Sequence, residues 1–399
     1  MDSAGAFLVS AVGAPNVERT VSQEELERIK AFTLPNAVSP GYTSTKRNPL
    51  TDNTIAKANR WMHNISGLLD VYRTPEQLQE FHKTATQVTN FMLQVCADCG
   101  EEEAFCLAKY CICFQVFDDR LDDPTNFYSV EKSMSMFLEL NVMVMWSFPD
   151  DDELYKNLVQ LLDESEVIDR DRAQAFHYLQ VKLDEARLRP GTIYDTSSPE
   201  AHPLCKAFHD IWTAFCETMP ADFLRRWALL FQNQLLGHVR EIRARKYNTS
   251  LSIDEYFPYR RETISTATLL AAVEFLDKVH TPDEMFYSPE MQRWLTATAD
   301  SVICINDLWS FKKEAMVGDN HNLVIIVSKG QDCSYTEAGK KISKMILDKL
   351  AEMEKALSDL ETVTPPQYQH AVSRYSLMVR NLVVGLNHLH EECSRYNTQ

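Results

Sequence analysis

Residues 111–123 read CICFQVFDDRLDD. A largely apolar run ends abruptly in four aspartates set around one Arg and one Leu. The run does not alternate apolar and polar residues as a half-buried strand would. Taken as a helix, it places Asp118 and Asp122 four residues apart on one face, with Asp119 beside them. Only Arg120 offers a positive charge within the same turn. Like charges at this spacing cost an isolated helix about 0.2–0.5 kcal/mol. Carboxylate oxygens are hard ligands suited to Mg²⁺, which keeps part of its water shell and shares itself with substrate phosphates. The plainer reading is an acidic helix end in water. The apolar run before the acids argues for a helix buried on most sides, yet this motif alone leaves both readings open.

The same helical character extends along the chain. Glycine accounts for 11 of 399 residues, with 14 Met and long stretches free of Pro, a composition that favours an all-α protein. No two glycines are separated by a single residue, and G-x-x-x-x-G-K-[ST] is absent. These absences remove the common dinucleotide and P-loop readings. Helices are predicted near 52–70, 75–97, 102–122, 130–147, 151–187, 200–218, 220–246, 260–279, 289–317, 334–359 and 366–395. Ser288-Pro289-Glu290 marks a start: an N-cap, a Pro at the first helical position, then an acid in the first turn. Residues 1–50 hold four of the prolines and little periodicity, so they read as an irregular N-terminal arm before a single helical domain over 51–399.

Charge narrows the function. Lys and Arg number 40 against 57 Asp and Glu, a formal net of −17. Such a chain repels phosphate backbones and anionic lipid, so neither nucleic acid nor a membrane surface is an expected partner. No apolar run approaches the roughly 18 residues of a membrane span. Residues 4–14, AGAFLVSAVGA, have the apolar character of a signal-peptide core, but Asp2 precedes them without Lys or Arg. A cytoplasmic location is therefore expected. Of ten cysteines, Cys99, Cys106 and Cys113 recur every seven residues on one helical face. That spacing reads as core in a reducing compartment rather than as metal or disulfide chemistry. Asp150-Asp151-Asp152-Glu153, just after Pro149, reads as a helix N-terminus rather than an ion site.

A second motif lies at 306–314, NDLWSFKKE. Asn306, Ser310 and Glu314 stand at i, i+4 and i+8, three oxygen-bearing side chains in one row. Ala299, Val302 and Ile303 continue that stripe as apolar residues. A polar row running on from an apolar one suits a cavity with a greasy bottom and an ionic mouth; a solvated amphipathic face is the alternative. Trp309 points about 60–100° off the row and reads as core. His209-Asp210 is a pair found in metal phosphohydrolases, but a lone His-Asp pair is common.

Together, DDRLD and NDLWSFKKE resemble the two metal-binding signatures of class I terpene synthases, D-D-x-x-D and N-D-x-x-S-x-x-[KR]-E, in the order of that family. The resemblance covers the chain from the helix near Thr51 onward. Arg260 stands 46 residues before Asn306, where the family carries a diphosphate-sensing Arg, and Arg395-Tyr396 resembles the family's C-terminal pair. The ending DDRLDDP is similar to the trichodiene-synthase type. YRRETIS and GDNHNL are similar to fungal cyclases that make tricyclic sesquiterpenes. Two departures are the long separation of the motifs, with the acidic 150–200 region supplying the excess, and the short tail after Tyr396.

The resemblance implies an α-helical bundle around a central cavity, and Mg²⁺-dependent ionisation of an allylic diphosphate followed by cyclisation of the carbocation. Farnesyl diphosphate is the implied substrate, with release of diphosphate. It implies three Mg²⁺ ions, held by Asp118, Asp119 and Asp122 on one wall and by Asn306, Ser310 and Glu314 on the other. Arg260, Lys313, Arg395 and Tyr396 would donate to the diphosphate; Arg261 is the rival of Arg260, and only one of two adjacent helical residues should face the cavity. Phe114, one turn before Asp118, is the first candidate to face the cation with its ring, and Phe117 the second. A break at Thr263-Ile264-Ser265 would turn backbone carbonyls toward the cation. The protein would act as a monomer or homodimer. Other readings are a monoterpene cyclase, a prenyl chain-elongating synthase, which would need a second aspartate-rich motif, or a non-enzymatic acidic scaffold.

Overall fold

The computed structural model describes residues 21–35, 48–123, 129–166 and 169–393. In chain order the helices are α1 (Gln23–Lys30), α2 (Thr51–His63), α3 (Pro75–Val95), α4 (Glu101–Leu121), α5 (Val130–Met145), α6 (Asp152–Glu164), α7 (Asp169–Leu188) and α8 (Pro203–Thr218). There follow α9 (Ala221–Tyr247), α10 (Ile253–Thr263), α11 (Thr266–Asp277), α12 (Asp283–Phe286), α13 (Pro289–Met316), α14 (Leu323–Gly330), α15 (Tyr335–Val363) and α16 (Gln369–Glu392). The fold is all-α, and no strand occurs among the described residues. No described helix is long and apolar enough to cross a membrane.

Local chemistry sets the boundaries. Thr74, Ser252 and Ser334 open α3, α10 and α15 with reciprocal capping boxes, each satisfying two otherwise orphaned N–H groups. Ser288 caps α13 as its sequence predicts, accepting from Met291 N–H. Asp151 accepts from the N–H groups of Glu153 and Leu154 and receives Arg225 at 2.6 Å; the acidic run is thus a capped helix start. The helix expected over 151–187 is two helices, because Glu166 takes a left-handed backbone (φ 58°) and accepts from Arg243, Lys246 and Tyr247. The helix expected over 260–279 is also two, broken at Ser265 (φ 58°), whose hydroxyl accepts from Gln234 Nε2. Within the stretch read as an irregular arm, Gln23–Lys30 is helical, and Phe32 just after it packs on Phe311 of α13.

Helices α3, α4, α9, α10, α11, α13 and α16 surround one cavity. The others back them: α15 lies along α13, α8 and α2 against α4, α6 against α9. Gly237 lets α9 approach α10 closely; a Cβ there would stand 2.6 Å from Glu262 Cβ. Cys106 and Cys113 are buried, Cys99 is half-buried, and all three are free thiols. Burial pushes the Cys106 thiol up to about 12, which removes it from redox and metal chemistry.

His202 caps α8 in an uncommon way: its Nδ1 accepts from Leu204 N–H at 3.2 Å, which a protonated ring cannot do. Burial, aided by the Arg120 charge, lowers its pKa to about 3. The folded value lies below the unfolded one near 6.5. This contribution is therefore present above about pH 6.5 and lost as the pH falls toward 3. Between pH 7 and pH 5 the loss is about 2 kcal/mol. Urea unfolding at both pH values should show this drop in the native chain and a clearly smaller one in His202→Asn, which keeps an acceptor without a titrating ring.

Candidate active site

The cavity, about 300 Å³, is lined at its mouth by charge and deeper down by apolar side chains. From α4, Asp118 and Asp122 reach the mouth. From α13, Asn306, Ser310, Lys313 and Glu314 face them. The two motifs, distant in sequence, thus meet across one opening, joined by Lys313 Nζ on Asp122 Oδ2 at 3.2 Å. Arg245 of α9 reaches Asp122 from a third side at 3.5 Å.

Asp119 does not join them. One residue on from Asp118, it is turned about 100° around the helix, and its carboxylate accepts from the Tyr72 hydroxyl at 2.7 Å. Arg120 points away as well, donating to the Leu68 carbonyl at 3.0 Å. It therefore does not offset the acids at the mouth.

Arg260 and Arg261 separate as helical neighbours should. Arg260 lines the cavity and donates to Asn306 Oδ1 at 3.2 Å and to Thr263 Oγ1 at 2.9 Å, with Asp307 at 3.4 Å. Arg261 turns outward to a bidentate pair with Asp300, 2.6 and 2.9 Å. Phe114 lines the cavity, its ring edge-on to Phe208 and Phe231. Phe117 is fully buried against Phe137 and His238, in the core rather than on the cavity wall. Trp309 donates to Asn387 behind the wall, off the ligand row as expected. The break after Thr263 brings Ile264 and Ser265 onto the cavity surface. Arg395 and Tyr396 lie outside the described residues.

Several residues at the site escaped the sequence reading. Asp307, adjacent to Asn306, has no exposed surface; it accepts from the Tyr256 hydroxyl at 2.5 Å and from Leu323 N–H at 3.0 Å. Asn322 spans the ligand row, its Nδ2 donating to the Asp307 carbonyl at 2.7 Å and to Glu314 Oε2 at 2.9 Å. Arg245 is held by Asp319 at 2.9 Å and lies near Glu241 at 3.6 Å. The run GDNHNL carried the signal, since Asp319 and Asn322 belong to it, but only as a likeness without a role.

Electrostatics distinguishes the carboxylates. Burial pushes Glu314 up to about 7, and the neighbouring Asp307 adds to the rise. Glu241 is buried too, but Arg245, His238 and Arg260 outweigh that burial and hold it at about 2. Glu314 thus has an amide donor but no ion-pair partner among the described residues, a carboxylate suited to an added cation. Among the described residues no three His, Cys, Asp or Glu side chains form a ligand cluster. The donors here are instead mixed: two aspartates on one wall, and an amide, a hydroxyl and one carboxylate on the other. All are hard oxygens, which fit Mg²⁺ and not a soft metal.

Comparison with known proteins agrees with this geometry. The profile of terpene synthase family 2, C-terminal metal binding, matches residues 109–352, which include both motifs. The chain is similar to alpha-gurjunene synthase of Marchantia polymorpha, 27% identical over 90% of this chain and 84% of that protein. Silphinene synthase peniA of Penicillium patulum is 26% identical over 51% of this chain and 54% of its own length. In fold, the linalool/nerolidol synthase of Streptomyces clavuligerus in complex with 2-fluorogeranyl diphosphate superposes with a TM-score of 0.64 at 17% identity, covering 92% of this chain and 99% of that one. Two opposed oxygen-donor rows, a basic rim and an apolar interior thus coincide with the matched profile, and the chain belongs to the class I terpene synthases, in terpene synthase family 2.

Proposed function

We propose that this terpene synthase ionises farnesyl diphosphate with the help of three Mg²⁺ ions and cyclises the resulting carbocation to a sesquiterpene. The observation that carries this reading is the meeting of Asp118 and Asp122 with Asn306, Ser310 and Glu314 across the mouth of one cavity whose interior is apolar. Relatives named as cyclising (2E,6E)-farnesyl diphosphate support the chain length. A likeness to fungal cyclases of the trichodiene type rests on DDRLDDP, YRRETIS and GDNHNL, although the relatives come from several lineages. Residues 51–399 would form the catalytic unit, with the first fifty as an arm whose short helix rests on α13.

Magnesium would supply positive charge to the departing diphosphate. The chain's own groups do the rest. Arg260, Lys313, Arg395 and Tyr396 donate to diphosphate oxygens; the guanidinium fork can hold two of them, the ammonium one. Asp122 would help hold a metal ion, and Lys313 and Arg245, which meet its carboxylate at 3.2 and 3.5 Å, would stand beside the anion. Phe114 offers a ring face to positive charge without offering a nucleophile. Incubation of the purified protein with geranyl, farnesyl and geranylgeranyl diphosphates, with volatiles identified, tests the substrate; turnover of the ten-carbon substrate alone would overturn the assignment.

Asp118→Ala, Asn306→Ala and Glu314→Ala should each lower turnover by about 100-fold or more, since each removes a hard ligand from a charge-stabilising set. Circular dichroism should show the fold retained. Normal turnover in any two of them would remove the metal reading.

Arg260→Lys should lower kcat by about tenfold or more, through loss of a two-point contact, and shift magnesium dependence far less. Arg261→Lys should leave turnover near that of the native chain, because its Asp300 pair lies outside the cavity. Steady-state kinetics on both variants distinguishes them, and the reverse pattern would move the role by one residue.

Deletion of 395–399 should leave the melting temperature nearly unchanged while lowering turnover strongly and raising the share of acyclic product. Loss of the Arg395 and Tyr396 donors would let water reach the cation. A native rate and product mixture would show that this pair takes no part.

A further inference from the structure

Gln115 stands on α4 three residues before Asp118, about 4.5 Å further into the cavity at 1.5 Å per residue, and lines its wall. Its Oε1 is buried and receives no hydrogen bond among the described residues. Its neighbours on the α4 side of the wall, Cys111 one turn back and Phe114, are apolar. A buried amide without a partner is costly, and the cost grows when substrate expels bulk water. The terpenoid chain is hydrocarbon and offers the amide nothing. The diphosphate belongs at the mouth, with the basic rim. A water molecule is the partner that fits between them, provided a second polar group shares it.

Thr84 of α3 supplies that group. It is buried and lines the same cavity. α3 and α4 form an antiparallel hairpin, closed between Val95 and Glu101 and pinned at its open end by Arg73 on Asp123 at 2.8 Å. That register sets Thr84 at the level of Ile112, within one turn of Gln115. The terminal torsion of a glutamine amide is soft, so a small rotation presents its oxygen to the cavity.

We propose that the Gln115 amide, with the Thr84 hydroxyl on the facing helix, holds the water molecule that captures the carbocation, so that the main product is a terpene alcohol. The inference rests on the terpene synthase reading above. The allylic C–O bond breaks and its electron pair leaves with diphosphate. A lone pair of the held water then forms the new C–O bond, and the proton lost from that oxygen passes to the released diphosphate. No oxidant or reductant is needed. Gln115 and Thr84 act by positioning the nucleophile.

The test is product analysis with farnesyl diphosphate and Mg²⁺ in H₂¹⁸O, alongside diphosphate release. The native protein should yield an alcohol carrying one ¹⁸O. Gln115→Met, close in shape, and Thr84→Val, which is isosteric, should each lower the alcohol-to-hydrocarbon ratio by about fivefold or more, the loss expected for one hydrogen bond to the nucleophile. The ratio is read rather than the rate, because a purely structural change would slow all products alike. Diphosphate release with only hydrocarbon from the native protein would overturn this inference and leave the enzyme assignment standing. An unchanged ratio in both variants, or loss of all product in both, would also overturn it. No diphosphate release from the native protein with any prenyl diphosphate would overturn the enzyme reading itself, and this inference with it.

Discussion

A charge with no exposed surface organises the site. The Asp307 carboxylate lies wholly inside the protein, among Arg260 of α10, the Tyr256 hydroxyl of the same helix and the N–H of Leu323 at the head of α14. Two elements, α10 and α14, are thereby fixed to α13 at one point. Removing one partner of such a buried pair costs about 3–5 kcal/mol, because the other charge is left unpaired. Asn306 precedes Asp307 on the same helix and so faces about 100° away, into the cavity. One dipeptide therefore does two jobs: its amide belongs to the ligand row, and its carboxylate locks the row in place. The Arg260 guanidinium belongs to both, with Asp307 behind it and Asn306 beside the cavity.

The net charge of −17 conceals a basic rim. Arg245, Arg260 and Lys313 converge on a mouth that also holds Asp118, Asp122 and Glu314. Buried acids with no place in the ligand rows hold the arginines there. Asp319 and Glu241 flank Arg245, and that cation, opposed by their burial, keeps both carboxyls below the usual range. Asn322 acts similarly on the acids, bracing Glu314 with its amide. Cations and ligand oxygens are thus in place before any substrate enters, Lys313 and Arg245 on Asp122 and Arg260 on Asn306, so the donors are already gathered where the leaving group arrives.

Much of this was legible because helical geometry is periodic. Positions 118 and 122, or 306, 310 and 314, share a face in any straight helix, and the apolar run before each row indicated which face looks inward. Asp119 went astray for the same reason: adjacency in sequence is not adjacency on a helix, and Tyr72 waits on the other side. The pairing of Arg245 with Asp319 spans 74 positions and arises only when α9 meets the loop after α13, so no local pattern announces it. The choice of Arg260 over Arg261 likewise depends on how α10 is rotated, which Gly237 and the α9 contact fix. Helix α14 was missed because its LVIIV run is β-branched; the Asn322 cap and burial among its neighbours override that preference.

The interior poses the opposite problem from the mouth. A site that generates a carbocation must not keep an anionic or amine nucleophile within reach of it. Below the ionic rim the wall is built from Val88, Phe91, Met92, Phe114, Leu269, Val302, Leu382 and Leu386. Cys111 places a thiol on that same wall. Thiolate is the reactive form, and its population falls as the pKa rises. Burial pushes the Cys111 thiol up to about 12, so near neutral pH it is a small, polarizable, uncharged surface. The apolar packing that shapes the cavity thus also keeps this side chain from alkylation: the low-polarity surroundings that suit the hydrocarbon chain hold the thiol in its protonated form.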